Sequence, residues 1–486
     1  MLNYYGSYDV VVCGGGTSGV TAALAAARDG AKTLLIERVG QLGGQMNFSG
    51  PPGFSFAWLY NARHERIVGG ITWEIYQRLL EEGHAMPEHH PKWRGSYQFN
   101  YIDPDWFGLL IYELLTEAGC ELMLHSLVTD VVKTGNSMQG VICEHPGGKS
   151  MVLAKVVIDC TGEGEVAYRA GAEVDEWPAD KLEPSTTAFT CDGIHWDEFM
   201  DYFMNHLDEF DFDHVQEPYT NMDAEAIKQD IREHCTCIED VGEVMGFFSI
   251  YKKGVETGEW HNKSGCGFFI MPREGGVIQA HFQHSSQVDK VDCAQVRDLT
   301  RCEIECREQD WIAFDFFKKN IPGFQDMYLT RLCPEVRIRE TRRVMGDYIL
   351  NCEDIGEARV FPDAIGRSSF PGGAKHVVPG DDNTTTGTVT SSAVKVSPKD
   401  GGSNTIPYRC LVVKGMENFL VAGKAISADR WAHQRFLQQT MVTGEAAGTA
   451  AALCVKKGIT PRQLEDRIDE LQAKLREKGV ILDGVH

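Results

Sequence analysis

Hydrophobic and polar positions change rhythm twice along this chain. Residues 8–13 (YDVVVC) make a short apolar run, the pattern of a strand buried on both faces. After a glycine-rich break, residues 20–28 (VTAALAAAR) are alanine-rich and predict a helix. Residues 32–37 (KTLLIE) predict a second buried strand. Strand, glycine loop, helix and strand within about thirty residues make a βαβ unit. Residues 71–83 predict a helix inside a stretch rich in Gly, Pro, His and aromatic residues. Residues 105–119 form an amphipathic helix that Asp103-Pro104 starts. Residues 122–132 and 138–144 read as strands, and Gly147-Gly148 turns the chain into a strand over 151–159.

From about residue 180 to 330 acidic and aromatic clusters, such as 196–213, replace the α/β alternation. Residues 371–405, rich in Gly, Thr, Ser and Pro, read as loop. The α/β pattern returns at 418–422, before a long helix over 440–457 and a charged, solvated helix over 461–479. No internal repeat is visible. The pattern predicts an α/β protein: a Rossmann-type domain from residues 1–180 and 401–486, with an α+β substrate or cap domain inserted at 181–400.

The chemistry is densest at Gly14-Gly15-Gly16-Thr17-Ser18-Gly19. A lone G-x-G-x-x-G is weak evidence, but this one follows a strand and opens a helix. Gly14 permits the tight turn, Gly16 lets the backbone approach a pyrophosphate, and Gly19 lets helix and sheet pack closely. The helix start at Thr17 and Ser18 offers N–H groups and positive dipole to phosphates. Glu37 ends the next strand and can accept hydrogen bonds from a ribose, which disfavours a 2′-phosphate. The motif fits FAD or NAD. Three later features favour an extended FAD: a second glycine loop at Gly43-Gly44, a strand entering the Thr161-Gly162 turn, and the return of NFLVAG before a helix near Thr440.

These segments resemble the FAD-dependent oxidoreductases of the glutathione-reductase-like superfamily, distantly similar to fumarate reductase flavoproteins. The resemblance rests on LLIER at 34–38, LGG at 42–44, VVIDCTGEGEVAYRAGA at 156–172, RETRRVMGDY at 339–348 and TMVTGEAAGTAAALC at 440–454. It implies FAD contacts from Gly14, Gly16, Thr17, Ser18, Gly19, Glu37 and Arg38. It extends these to Gly43, Gly44, Gln45, Val128, Thr161 and Gly162. Gly423, Ser427, Thr440, Met441 and Gly444 complete the implied set. The helix near Thr440 is expected to point its N-terminus at the flavin pyrimidine edge, where reduction places negative charge. Gly444 and Gly448 also suit plain helix packing.

With a flavin carrying the hydride, the protein must orient substrate and move a proton. His433 is a candidate acid or base, and Arg435 and Arg339 are candidate anchors for substrate. For Arg342 and Arg343 the plainer reading is ion pairing with Glu335, Glu340 and Asp347. His84, His89 and His90 read as a surface loop, and no metal site is expected. His376 sits in a glycine loop.

The net charge of −23 argues against nucleic acid and anionic membranes as partners. No apolar run approaches the roughly 20 residues that span a bilayer. With no targeting segment visible and 15 scattered cysteines expected as thiols, a cytoplasmic location is expected. The expected activity is hydride transfer between FAD and a small organic substrate at a C–OH, C–N or C–C bond. The electron donor or acceptor is unassigned, and a homo-oligomer is allowed. A flavin monooxygenase is the alternative, although no second G-x-G-x-x-G marks a nicotinamide domain. A flavin-dependent tRNA modifier conflicts with the charge, and an electron-transfer scaffold predicts a flavin that small molecules do not turn over.

Overall fold

The computed structural model describes residues 2–50, 54–86, 100–212, 222–260, 267–283, 285–373 and 396–484. His89, His90 and His376 lie outside the described residues. β1 (Leu2–Cys13) runs through the glycine loop into α1 (Thr17–Arg28) and returns as β2 (Thr33–Ile36). β1 and β2 pair in parallel, Val10 against Thr33 through Cys13 against Ile36. Helices cover both faces of such a sheet, so Val10 to Cys13 are fully buried in succession. α2 (Gly70–Glu81) and α3 (Pro104–Glu117) follow. Asp103 caps α3 by accepting the Asp105 N–H at 2.9 Å.

The strand expected over 122–132 is two strands, β3 (Glu121–Met123) and β4 (Leu127–Thr134). His125, at φ 52°, turns the chain between them. β5 (Ser137–His145) and β6 (Gly148–Asp159) complete an antiparallel meander with β4. The sheet order is β3-β2-β1-β6-β5-β4.

The middle of the chain builds a second sheet. Its elements are β7 (Ala188–Asp192), α4 (Trp196–Asn205), α5 (Ala224–His234), β8 (Glu243–Val244) and α6 (Phe248–Thr257), then β9 (Gly267–Arg273), β10 (Val277–Gln283), α7 (Val296–Asn320) and β11 (Tyr328–Leu332). The strands run antiparallel in the order β8-β9-β10-β7-β11. Alternation divides their side chains between two faces. Phe189, Phe268, Ile270 and Phe282 join Phe199, Phe247 and Phe317 in an aromatic core. Its rings touch edge and face, 4.6 Å between Phe189 and Phe282 and 4.8 Å between Phe282 and Phe317. The opposite face meets the first half of the chain. There His281 Nε2 lies 2.8 Å from the Ser49 carbonyl, and Gln283 Nε2 donates to the Gly50 carbonyl at 2.6 Å.

The chain then returns to the first sheet as β12 (Phe419–Val421), a seventh strand parallel to β6. α8 (Leu437–Lys457) lies along α1, and α9 (Ile468–Glu477) closes the fold. α8 starts three residues before the expected Thr440, with Phe436 as its N-cap. Gln438 and Gln439 look like loop residues in sequence, yet both are buried inside the first turn. Glycines set the spacing of α1 and α8. A Cβ at Gly444 would lie 2.1 Å from the Ser18 carbonyl oxygen, and one at Gly448 would lie 2.0 Å from that of Ala22. The tail helix is shorter than expected and buries Leu471 and Leu475 while its charged residues face outward. Among the described residues no helix is long and apolar enough to cross a membrane.

Candidate active site

The glycine loop opens onto a cavity of 840 Å³. Gly14 sits at φ 100°, where a Cβ would lie 2.5 Å from the Cys160 carbonyl oxygen. A Cβ at Gly19 would lie 1.7 Å from the Gly14 carbonyl oxygen. Both positions need glycine for the turn to close. Gly16 differs, because a Cβ there meets nothing within 4 Å. Its bare backbone leaves room for a ligand rather than for protein. α1 has no side-chain cap and no acidic residue in its first turn, so its leading N–H groups and dipole serve the cavity. Thr17 Oγ1 lies 2.6 Å from Thr440 Oγ1, which brings the first turns of α1 and α8 together.

Glu37 receives the Gly15 N–H on Oε2 at 2.5 Å and the Val39 N–H on Oε1 at 3.0 Å. Each oxygen keeps a further lone pair for a ligand hydroxyl. Arg38 pairs with Glu335, whose carboxyl burial pushes above the usual range. At the end of β6, Asp159 accepts from the Thr161 hydroxyl at 2.7 Å and from the Ala167 N–H at 2.9 Å, which sets the Thr161-Gly162 turn.

The cavity wall gathers Gly14, Gly16, Thr17 and Ser18 with Glu37 and Arg38. Gly44, Gln45, Val128, Thr161, Gly162 and Thr440 join them, and so do Arg339 and Arg435. The other expected site residues stand one layer back. Gly19 closes the turn, and the Gly43 N–H donates to the Gly15 carbonyl at 2.8 Å. Gly423, at φ 87°, leaves space for Ser18, whose Oγ would lie 2.7 Å from a Cβ there. Met441 and Gly444 belong to the α1–α8 seam, where Thr21 Oγ1 donates to the Met441 carbonyl at 2.9 Å. Ser427 is carried off by its backbone bonds to Cys410 and Leu350, both members of a small separate core.

His433 is buried behind the wall, its Nε2 3.5 Å from Glu183 Oε1. Burial first, and the Arg435 charge second, press its imidazole down to about 3. Arg435 Nη2 holds the same carboxylate at 2.8 Å. Arg339 donates to the Pro184 carbonyl. Arg343 pairs with Glu340 at 3.4 Å, as expected. The partner of Arg342 is Glu176 at 3.0 Å, with the guanidinium over the Tyr168 ring. Glu335 and Asp347 are taken by Arg38 and Arg462. Sequence reasoning missed the wall residues of the second sheet, Glu243, Met245, Phe269 and Gln283. For Phe269 and Gln283 the signal is alternation within GFFIMPR and VIQAHFQ, where every second side chain leaves the aromatic core. Glu243 and Met245 stand at and just after a two-residue strand that carries no such signal.

Two helix N-termini converging on a glycine-lined groove at the ends of parallel strands define a dinucleotide-binding flavoprotein fold. The chain belongs to the FAD dependent oxidoreductase family, whose pattern matches residues 9–475. Over 168 residues, 34% of the chain, it is 30% identical to a digeranylgeranylglycerophospholipid reductase of Picrophilus torridus. Over 181 residues it is 30% identical to digeranylgeranylglycerophospholipid reductase 2 of Methanothermobacter thermautotrophicus, here 36% of the chain. The matches span 42% and 44% of those two relatives, less than half their length. Among solved structures, a geranylgeranyl bacteriochlorophyll reductase-like protein of Thermoplasma acidophilum aligns with 96% of this chain and 83% of its own, at 15% identity and a TM-score of 0.46.

The groove fits FAD. Gly16 leaves a backbone cradle open, α1 is uncapped, and both oxygens of Glu37 keep a lone pair toward the same cavity.

Proposed function

We propose that the protein transfers a hydride between FAD and a small organic substrate, as a dehydrogenase or reductase at a C–OH, C–N or C–C bond. The observation that supports this most is the continuity of the cavity. One 840 Å³ space is lined by the dinucleotide loop and also by Met245, Phe269 and Gln283 of the second sheet. Cofactor and substrate can therefore share one chamber. Bound FAD supplies the two-electron acceptor or donor. Gly14, Gly16, Thr17, Ser18 and Glu37 hold its ADP half, and Val128, Thr161 and Gly162 flank it.

Arg339 and Arg435 orient the substrate. Glu183 fixes Arg435 by a charge-assisted hydrogen bond. His433, with its imidazole at about 3, stays neutral near physiological pH and stores no proton there. Its role is to position Glu183 and, through it, Arg435. The test is anaerobic mixing of the purified holoenzyme with alcohols, amines and saturated acids, and of the reduced enzyme with enones, following the visible flavin band. One class should bleach or restore the flavin in a saturable manner. A flavin that no member reduces or reoxidises would refute the reading and leave the electron-transfer scaffold.

A further inference from the structure

Part of the cavity wall is made of guanidinium groups. Arg337, Arg339 and Arg435 all line it. Neutral acceptors hold the first two in place: Arg337 Nη1 donates to Gln283 Oε1 at 3.1 Å, and Arg339 donates to the Pro184 carbonyl. Behind them Arg343 and Arg430 share Glu340, each at 3.4 Å. Glu183 and Glu340 are neighbours, since the Glu183 N–H donates to Glu340 Oε1 at 2.7 Å. Three guanidinium groups thus line one cavity, in a chain whose net charge is −23. Six of these seven residues are buried, and the side chain of Arg435 is 9% exposed.

The second observation is local to Arg435. Its Nη2 is engaged by Glu183, while its Nη1 is buried and has no hydrogen-bond partner. A buried charged donor without an acceptor is unfavourable until one arrives. The mutual repulsion of Arg337, Arg339 and Arg435 adds to burial in depressing the Arg339 pKa. Met245 and Phe269 of the second sheet and Phe436 beside Arg435 give the same cavity an apolar flank. The phosphates of a dinucleotide have their own cradle at Gly16 to Ser18, on α1.

We propose that Arg337, Arg339 and Arg435 form an anion subsite that takes the carboxylate of an organic acid whose apolar body lies along Met245, Phe269 and Phe436. A planar carboxylate matches convergent guanidinium forks, and it supplies the acceptor that Arg435 Nη1 lacks. The inference rests on the hydride-transfer reading of the cavity and names its substrate class.

Benzoate and benzamide test it, because they share a body and differ in charge. Holoenzyme is titrated with each by calorimetry, with the flavin spectrum followed in parallel. Benzoate should bind saturably and weaken as potassium chloride rises, with benzamide about tenfold weaker or worse. Arg435→Gln and Arg337→Gln should each weaken benzoate by about tenfold or more while retaining flavin. Should either variant lose flavin, the charge and salt dependence of the native enzyme decides. Equal binding of the two probes, binding of neither, or native benzoate affinity in both variants would overturn the subsite. So would benzoate that competes with FAD for the apoprotein and does not bind the holoenzyme, because the arginines would then serve the cofactor phosphates. The parent reading fails separately. A holoenzyme that binds benzoate but exchanges electrons with no small molecule keeps the subsite and loses the hydride-transfer function. One reduced by neutral alcohols but indifferent to benzoate loses the subsite alone.

Discussion

Glu445 offers a stability test that reaches into the packing of the cofactor half. It lies on α8, fully enclosed, with Oε2 accepting the Ile71 N–H of α2 at 2.9 Å. α2 has glycine at its N-cap and no side-chain cap of its own, so Glu445 caps it from another element. The other oxygen, Oε1, is buried without a partner. Burial dominates and raises the carboxyl from 4.5 to about 7, although the Ile71 N–H and the Lys478 charge pull the other way.

The folded protein therefore holds a proton that the unfolded chain releases near pH 4.5. The stability tied to this group is fully present below that pH and falls as pH rises to and through about 7. At about 1.4 kcal/mol per unit, the loss totals about 3 kcal/mol on the alkaline side. Glu445→Gln keeps an oxygen for Ile71 and cannot ionise. Unfolding free energies of native and variant holoenzyme should differ by less than about 1 kcal/mol near pH 5 and by a further roughly 2–3 kcal/mol, about 3 in all, near pH 8.5, the variant gaining relative stability as pH rises. Parallel curves across that range would refute the reasoning, because every other titrating group is common to both proteins.

Four further outcomes follow from the site. Gly16→Val should leave the apoprotein melting temperature unchanged but remove flavin, since the new side chain enters the ligand space; normal flavin content would contradict the cradle. Gly444→Ala should instead cost about 1–3 kcal/mol of stability, because its Cβ collides with the α1 backbone, and a denaturation curve reads this directly. Glu37→Ala should weaken FAD by about tenfold or more in an apoprotein titration, and full retention of flavin would sink the ribose role. His433→Ala should keep FAD and lower kcat with the shape of the pH profile unchanged, and His433→Gln should recover part of the rate; loss of a pH limb would make it a titrating base instead.

Much of the cofactor half can be read directly from the chain because its signals are local. The strand over 8–13, the glycine turn and the following helix sit within a few residues of one another, and each is the pattern expected of a buried parallel strand or a backbone cradle. The start of α8 was harder to read, since Gln438 and Gln439 look solvated in sequence and are buried in the fold. The second sheet has alternating strands, but its pairing is not legible locally, for another reason. β7 pairs with β10 and β11, some 90 to 140 residues away, through strands that are short and interrupted by helices. Arg337 and Gln283 meet only after those pairings form.

This difference separates the two jobs of the cavity. The dinucleotide side is backbone, where Gly14, Gly16 and Gly19 are constrained by carbonyls and by ligand space rather than by side-chain chemistry. The facing side is made of side chains on a sheet whose opposite face is a packed aromatic core. Phe268 and Phe269 are adjacent in sequence, yet Phe268 lies fully inside that core and Phe269 lines the cavity. A strand thus anchors itself through one residue and presents the next to the ligand. Substitutions at Glu243, Met245, Phe269 or Gln283 can reshape what the cavity accepts without opening the core, whereas the neighbouring core positions have no such freedom. Under the proposed hydride-transfer reading, substrate choice is therefore carried by one face of one sheet and by the arginines on the same cavity wall, and cofactor choice by the glycine loop.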